Sequence, residues 1–158
     1  YGFKGHLVTD LIGIPIFICL TSASKSDLHS FEFVIEQMLE FGITRNDTIC
    51  IGDKGYVGQE FQQYIERYYG VKLLSMQREY KKTLYGPSPL NLFIQKVRKI
   101  IETTINSFSI ELGAGRTTRR TIKGLVSSIM TKLTAFNLAN FLNHLLDEPL
   151  LEVKSFVY

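Results

Sequence analysis

The chain has 158 residues and a formal net charge of +3. That length suits one domain with a real core, and an apolar content of 45% sets intrinsic disorder aside. The weak basicity excludes no class of partner. Cys19 and Cys50 both sit inside apolar runs and read as buried free thiols of a reducing compartment. No C-x-x-C or paired-histidine spacing exists, which argues against a zinc site.

The opening, "YGFKGHLVTD", has no methionine and no basic-then-apolar start, so it is no signal peptide and reads as the middle of a longer protein. Residues 3–9 and 14–20 are rich in β-branched and aromatic types. Turn-forming Asp10 and Gly13 bracket the "DLIG" between them, which predicts a β-hairpin. The second run, "IPIFICL", is almost continuously apolar, as expected of a strand covered on both faces. After the polar "TSASKSD" comes a helix with Phe31, Val34, Ile35, Met38 and Leu39 at helical spacing. Ser26 or Asp27 can cap it, and Gly42 can end it. "TICIG" is then a short buried strand, "QEFQQYIERYYG" a helix stopping at Gly70, and "VKLLSM" another strand.

Residues 77–90 form a polar, basic connector. A long amphipathic helix follows, "LNLFIQKVRKIIETTINSFSI", with Phe93, Val97, Ile100, Ile101, Ile105 and Phe108 as its core stripe. Gln95, Arg98, Glu102 and Asn106 fall away from most of that stripe. "GAGRTTRRTIKG" is a glycine-bounded basic loop, and a final long helix runs to about Leu146. Lys132, Asn137, Asn140, Asn143 and His144 interrupt that helix and make it a core helix rather than a membrane span. The tail, 147–158, carries no signal. The order β-β-α-β-α-β and then two long helices predicts an α/β fold, a mixed sheet flanked by helices.

Two carboxylates stand out. Asp53, in "CIGDKGYVG", follows a strand, and ligands gather at the carboxyl ends of strands in such sheets. From the residues alone, an Asx-turn leading into the next helix is the plainer explanation. Glu102 lies four residues after Arg98. A surface ion pair is the plain reading, yet the stabilising order is acid first, and here the base comes first. A carboxylate at a strand end and one on a helix face can together hold Mg²⁺ or Mn²⁺.

"YGFKGHLVTDLIGIPI", "CIGDKGYVG", "RKIIETTIN" and "GAGRTTRRTIKGLVSSIMTKLTAFNLANFL" together resemble the DDE-type transposases of bacterial insertion sequences, over residues 1–146. The resemblance implies an RNase H-like, retroviral-integrase-like fold and an Asp-Asp-Glu triad that binds two divalent ions. It implies cleavage of transposon ends and their joining to target DNA, by a homodimer on double-stranded DNA in the bacterial cytoplasm, at the nucleoid and off the membrane. The triad's second aspartate matches Asp53 and its glutamate Glu102, both as catalytic metal ligands. Arg98 matches the arginine one turn before that glutamate. Some groups of the family carry a tyrosine three residues before this arginine and a lysine seven after the glutamate; Gln95 and Ser109 stand there instead.

The first aspartate belongs on a strand before the "YGFKGH" hairpin. Asp10 reads as a turn residue and Asp27 as a helix cap, so the missing aspartate is expected upstream of residue 1. The fragment alone would then be inactive. Candidate DNA contacts are Lys4 and His6 on one strand face, Lys54 and Tyr56 beside Asp53, Arg78 and Lys81 in the connector, and Arg116, Arg119, Arg120 and Lys123 in the basic loop. No helix-turn-helix is visible, so end recognition is expected elsewhere in the parent protein. The competing readings are a non-catalytic DNA-binding remnant and an RNase H-like nuclease that cuts without joining.

Overall fold

The computed structural model describes residues 2–52, 58–75, 88–114 and 119–153. They form a mixed α/β arrangement: β1 (Phe3–Thr9), β2 (Pro15–Ser22), α1 (Asp27–Glu40), β3 (Ile49–Gly52), α2 (Gln59–Tyr69), β4 (Lys72–Ser75), α3 (Pro89–Asn106) and α4 (Ile122–Leu145). A π-helical turn, Ser107–Glu111, extends α3. The expected order of elements is present. The described strands, however, make two separate two-stranded sheets, β1-β2 and β3-β4, rather than one mixed sheet. Alternation of strands and helices fixes the order of elements but leaves open which strand edges join.

Two compact units emerge. The first comprises Tyr1–His6 and Cys19–Arg98, the second Leu7–Ile18 and Lys99–Tyr158. In the first, β3 and β4 run parallel, with Ile49 opposite Lys72 and Gly52 opposite Ser75. Parallel strands need a crossover connection, and α2 supplies it. Gly70 ends α2 at φ 64°, and Gly42 follows α1 at φ 66°, left-handed positions that glycine takes without strain. Ile35, Ile65 and Val71 form the local core, with Phe31, Leu39, Cys50, Phe61 and Tyr69 around them. Ser26 caps α1 by accepting from the His29 amide. Asp27, read as a possible cap, lies instead in the first turn, where it accepts from Lys4 at 3.0 Å. The "TICIG" strand is half-buried rather than buried, with Ile49 exposed. β2 is likewise half-buried along most of its length; among the described residues it pairs with β1 alone.

In the second unit, Phe108, Leu133, Phe136, Ala139 and Val153 make the core, joined by Leu7, Ile18, Leu112, Ala114, Ile129 and Leu151. Asp10 closes the hairpin: its Oδ1 accepts from the amides of Ile12 and Ile14 at 3.0 and 2.8 Å, so its carboxylate has a turn role. The core stripe of α3 differs from the expected one. Asn91, Ile94, Val97, Thr104, Ser107 and Phe108 are buried, while Phe93 and Ile105 face solvent. Polar residues occupy three of those buried places, so counting apolar types set the stripe a step aside. Thr104 explains its own burial by donating to the carbonyls of Gly13 at 2.8 Å and Ile100 at 3.2 Å.

The asparagines of α4 also have defined work. Asn137 donates to the Pro15 carbonyl, Asn140 accepts from the Leu151 amide at 2.7 Å, and Asn143 donates to the carbonyls of Pro149 and Glu152. They pin 149–152 against the helix, and Val153, fully buried, completes the core. The segment after Leu146 is therefore packed structure up to Val153, where the sequence carried no signal. Among the described residues no helix is long and apolar enough to cross a membrane.

Candidate functional site

β3 and β4 are parallel, so their carboxyl ends, Gly52 and Ser75, lie side by side. Ser75 is buried there and its hydroxyl accepts from the Gln62 side chain at 2.8 Å, which ties α2 to this edge. Such an edge is where open α/β sheets take ligands. Asp53 is the next residue after Gly52. It lies outside the described residues, as do Lys54, Tyr56, Arg78, Lys81 and Arg116.

Glu102 and Arg98 are both exposed on α3, one turn apart, as their positions off the stripe require. Two residues beyond Glu102, the buried Thr104 is locked to the hairpin tip at Gly13. That bond fixes the rotation of α3 about its axis, and so the direction in which Glu102 leaves it.

The basic residues fall into two kinds. Lys4 is engaged at the surface: its amine donates to the Lys25 carbonyl at 3.1 Å and pairs with Asp27. His6 contacts Thr21 at 2.7 Å, and Thr21 in turn contacts Ser30 at 3.3 Å in a buried relay. Both therefore tie β1 to the start of α1, a role their alternation along the strand did not reveal. Arg119, Arg120 and Lys123, by contrast, are exposed. Lys123 sits in the first turn of α4, which holds no acid. A cation at the positive end of a helix is disfavoured by itself and gains from a nearby anion.

The His6 pKa lies below its ordinary 6.5, first through burial and then through the Lys4 charge, against an opposing pull from Asp27. The unfolded chain thus takes up this proton before the folded one. Stability is expected to fall as pH drops through 6.5 and to level off below the folded value. Thermal melts at several pH values should show this step, and His6→Gln should flatten it; an unchanged step would assign it to another group.

Burial raises both thiols, Cys50 to about 11. Neither is a thiolate at neutral pH, so neither is a nucleophile or a ready soft-metal ligand. A thiol reagent at neutral pH should label the folded chain slowly and the unfolded chain twice; fast labelling of the folded chain would contradict this burial.

One arrangement escaped the sequence reading. Tyr64 and Tyr69 of α2 donate to Glu32 of α1, and Tyr69 also donates to Glu36 at 2.9 Å. These bonds, with Phe31 of α1 set edge-on to Phe61 of α2 at 6.2 Å, fasten α2 to α1. A shallow groove of about 450 Å³ along α1, lined by Lys25, His29, Glu32, Phe33 and Glu36, holds none of the candidate catalytic residues. Among the described residues no group of three or more His, Cys, Asp or Glu side chains could hold a metal. The donor chemistry that is present, an exposed carboxylate on α3 with thiols kept protonated, fits a hard, oxygen-seeking cation rather than a soft one.

A parallel strand–helix–strand unit with a long carboxylate-bearing helix after it defines a mixed α/β domain. The family model for the transposase DDE domain matches residues 1–138. The chain belongs to that family: it is a DDE-type transposase domain, with the DNA binding that transposition entails. No curated protein and no solved structure matches the chain.

Proposed function

We propose that the chain is the catalytic domain of an insertion-sequence transposase with an RNase H-like fold, which cleaves element ends and joins them to target DNA. The observation that carries this reading is the exposed Arg98–Glu102 turn of α3, held in rotation by Thr104, within the stretch that matches the family. Asp53 and Glu102 are the proposed ligands of two Mg²⁺ or Mn²⁺ ions, with a third carboxylate that the family pattern places on a strand ahead of β1. When bound, such a pair of ions activates the attacking oxygen and stabilises the leaving one.

The remaining work falls to the chain's own side chains. Arg98 orients the Glu102 carboxylate or meets a DNA phosphate. Arg116, Arg119, Arg120 and Lys123 hold the phosphate backbone, displacing its counterions. Lys54 and Tyr56, beside Asp53, contact a phosphate and a base, and Arg78 and Lys81 extend the track. Lys4, whose amine stays partly exposed beside Asp27, and His6 are the further candidates for phosphate contact. The reaction is in-line displacement with no covalent protein intermediate. Two copies acting on paired DNA ends, in the cytoplasm at the nucleoid, complete the proposal.

A strand-joining assay with the complete transposase, labelled element ends, a target duplex and Mg²⁺ tests it. Joined products that vanish with chelator are expected. Cut but unjoined ends would instead make it a nuclease, and tight DNA binding without either product a non-catalytic remnant.

A further inference from the structure

We infer that the outer face of α4 pairs two copies of this chain, antiparallel, about a two-fold axis through Thr134. This deepens the pairing proposed above and is argued from α4 and the charged residues that flank it. One side of α4 is used up: Leu133, Phe136, Ala139, Asn140 and Asn143 are buried. The other carries Met130, Leu138, Phe141, Leu142 and Leu145, all exposed, with Phe141 at 56% and Leu145 at 62%. Leu138, Phe141, Leu142 and Leu145 follow i, i+3, i+4, i+7 spacing, the pattern of a helix face that meets another helix. Single exposed apolar residues are ordinary, but a contiguous row of this length is not.

Two polar residues on this face are already satisfied. Thr131 donates to the Ser127 carbonyl at 2.9 Å and Thr134 to the Met130 carbonyl at 3.0 Å. Their hydroxyls are turned back onto the helix, so these two can be buried without orphaning a donor.

Charge and size choose a second copy as the occupant, and choose its direction. α4 contains no acidic residue. Arg119, Arg120 and Lys123 stand at its start, and the exposed Asp147 and Glu148 just past its end. Parallel pairing would oppose like charges at both ends, whereas antiparallel pairing opposes unlike ones and sets Lys123 near the negative end of the other helix. Thr134 lies at the middle of Ile122–Leu145. An axis there sets Met130 against the partner's Leu138 and Val126 against the partner's Leu142. It also sets small Ser127 against the partner's large Phe141, and brings the end that carries Arg120 to the end that carries the partner's Glu148. Apolar residues meet apolar ones, large Phe141 meets small Ser127, and the acidic end meets the basic end, which is how packed helix pairs are specified.

Sedimentation of the 158-residue chain without DNA or divalent ions tests the pairing. A dimer is expected. Leu138→Glu should abolish it without loss of helix by circular dichroism, since Leu138 is exposed. Arg120→Glu should weaken it about tenfold, and adding Glu148→Arg to the same chain should restore it. Thr134→Cys should cross-link to itself on oxidation, where Lys123→Cys and the parent chain do not. A monomer, a dimer indifferent to Leu138→Glu, or a Thr134→Cys chain that fails to cross-link would each overturn the inference. Because DNA and metal are absent, none of these results bears on Asp53 or Glu102.

Discussion

Glu102→Gln is expected to remove cleavage and strand joining together, by on the order of 10³-fold or more, while leaving the fold intact. The substitution keeps the size and polarity of the side chain and deletes only its charge. Glu102 is exposed on α3, and exposed substitutions away from special features change stability by only about 0.5 kcal/mol. A lost activity with an unchanged melting temperature therefore reports on chemistry rather than on folding. Both steps should fall together, because the proposed site uses one carboxylate pair for the water and the 3′-hydroxyl nucleophile alike. Joining at the wild-type rate by Glu102→Gln would remove Glu102 from the metal site. Asp53→Asn should behave the same way if the two carboxylates act as one unit.

The largest structural effect is expected at Gly13. Its φ is 95°, and a β-carbon there would lie 2.8 Å from Ile100 Cγ2, Thr104 Oγ1 and Leu151 Cδ1. Leu151 can swing its methyl aside. Ile100 and Thr104 are β-branched and stiff on a helix, and Thr104 is bonded to the Gly13 carbonyl. Gly13→Ala combines an unfavourable backbone conformation, about 1–2 kcal/mol, with overpacking of about 1–3 kcal/mol. A loss of about 3 kcal/mol follows, roughly 10 °C in melting temperature. Gly42 supplies the comparison: its φ is 66° and nothing lies within 4 Å of its built β-carbon. Gly42→Ala should therefore carry the conformational cost alone, about 1 kcal/mol. Equal losses at the two sites would show that the close approach at Gly13 relaxes freely.

How much of this was legible in the sequence follows from what each residue answers to. Local signals were readable: Asp10 at a hairpin tip, Gly42 and Gly70 at helix ends, and the order of strands and helices all depend on neighbours a few residues away. Arg98 and Glu102 were placed correctly off the core stripe, because helical phase is also local. Long-range pairings were not readable. Thr104 is buried because of a carbonyl 91 positions earlier, so an apolar count sets the stripe of α3 on Phe93 and Ile105. Lys4 and His6 alternate on a strand as a DNA-facing pair would, but Asp27 and Thr21, well downstream, engage them. The asparagines of α4 argued against lipid by their polarity alone; their partners, in 149–152 and at Pro15, could be found only in the folded chain. As for the chemistry, Asp53 rests on the family pattern, since it falls outside the described residues.

The fastening of Val153 under α4 bears on the order in which this protein assembles. Leu7, near the beginning of the chain, and Val153 pack into the same apolar cluster around Phe136. Among the described residues, the cluster of the first unit draws on residues 31–71. One core can thus close soon after Val71 has been synthesised, whereas the other waits for Val153. Bringing such distant residues together carries the loop-closure cost of almost the whole chain before any contact repays it. During synthesis, which exposes the N-terminal part first, Leu7 and the rest of the hairpin tip emerge long before the helix that is to cover them.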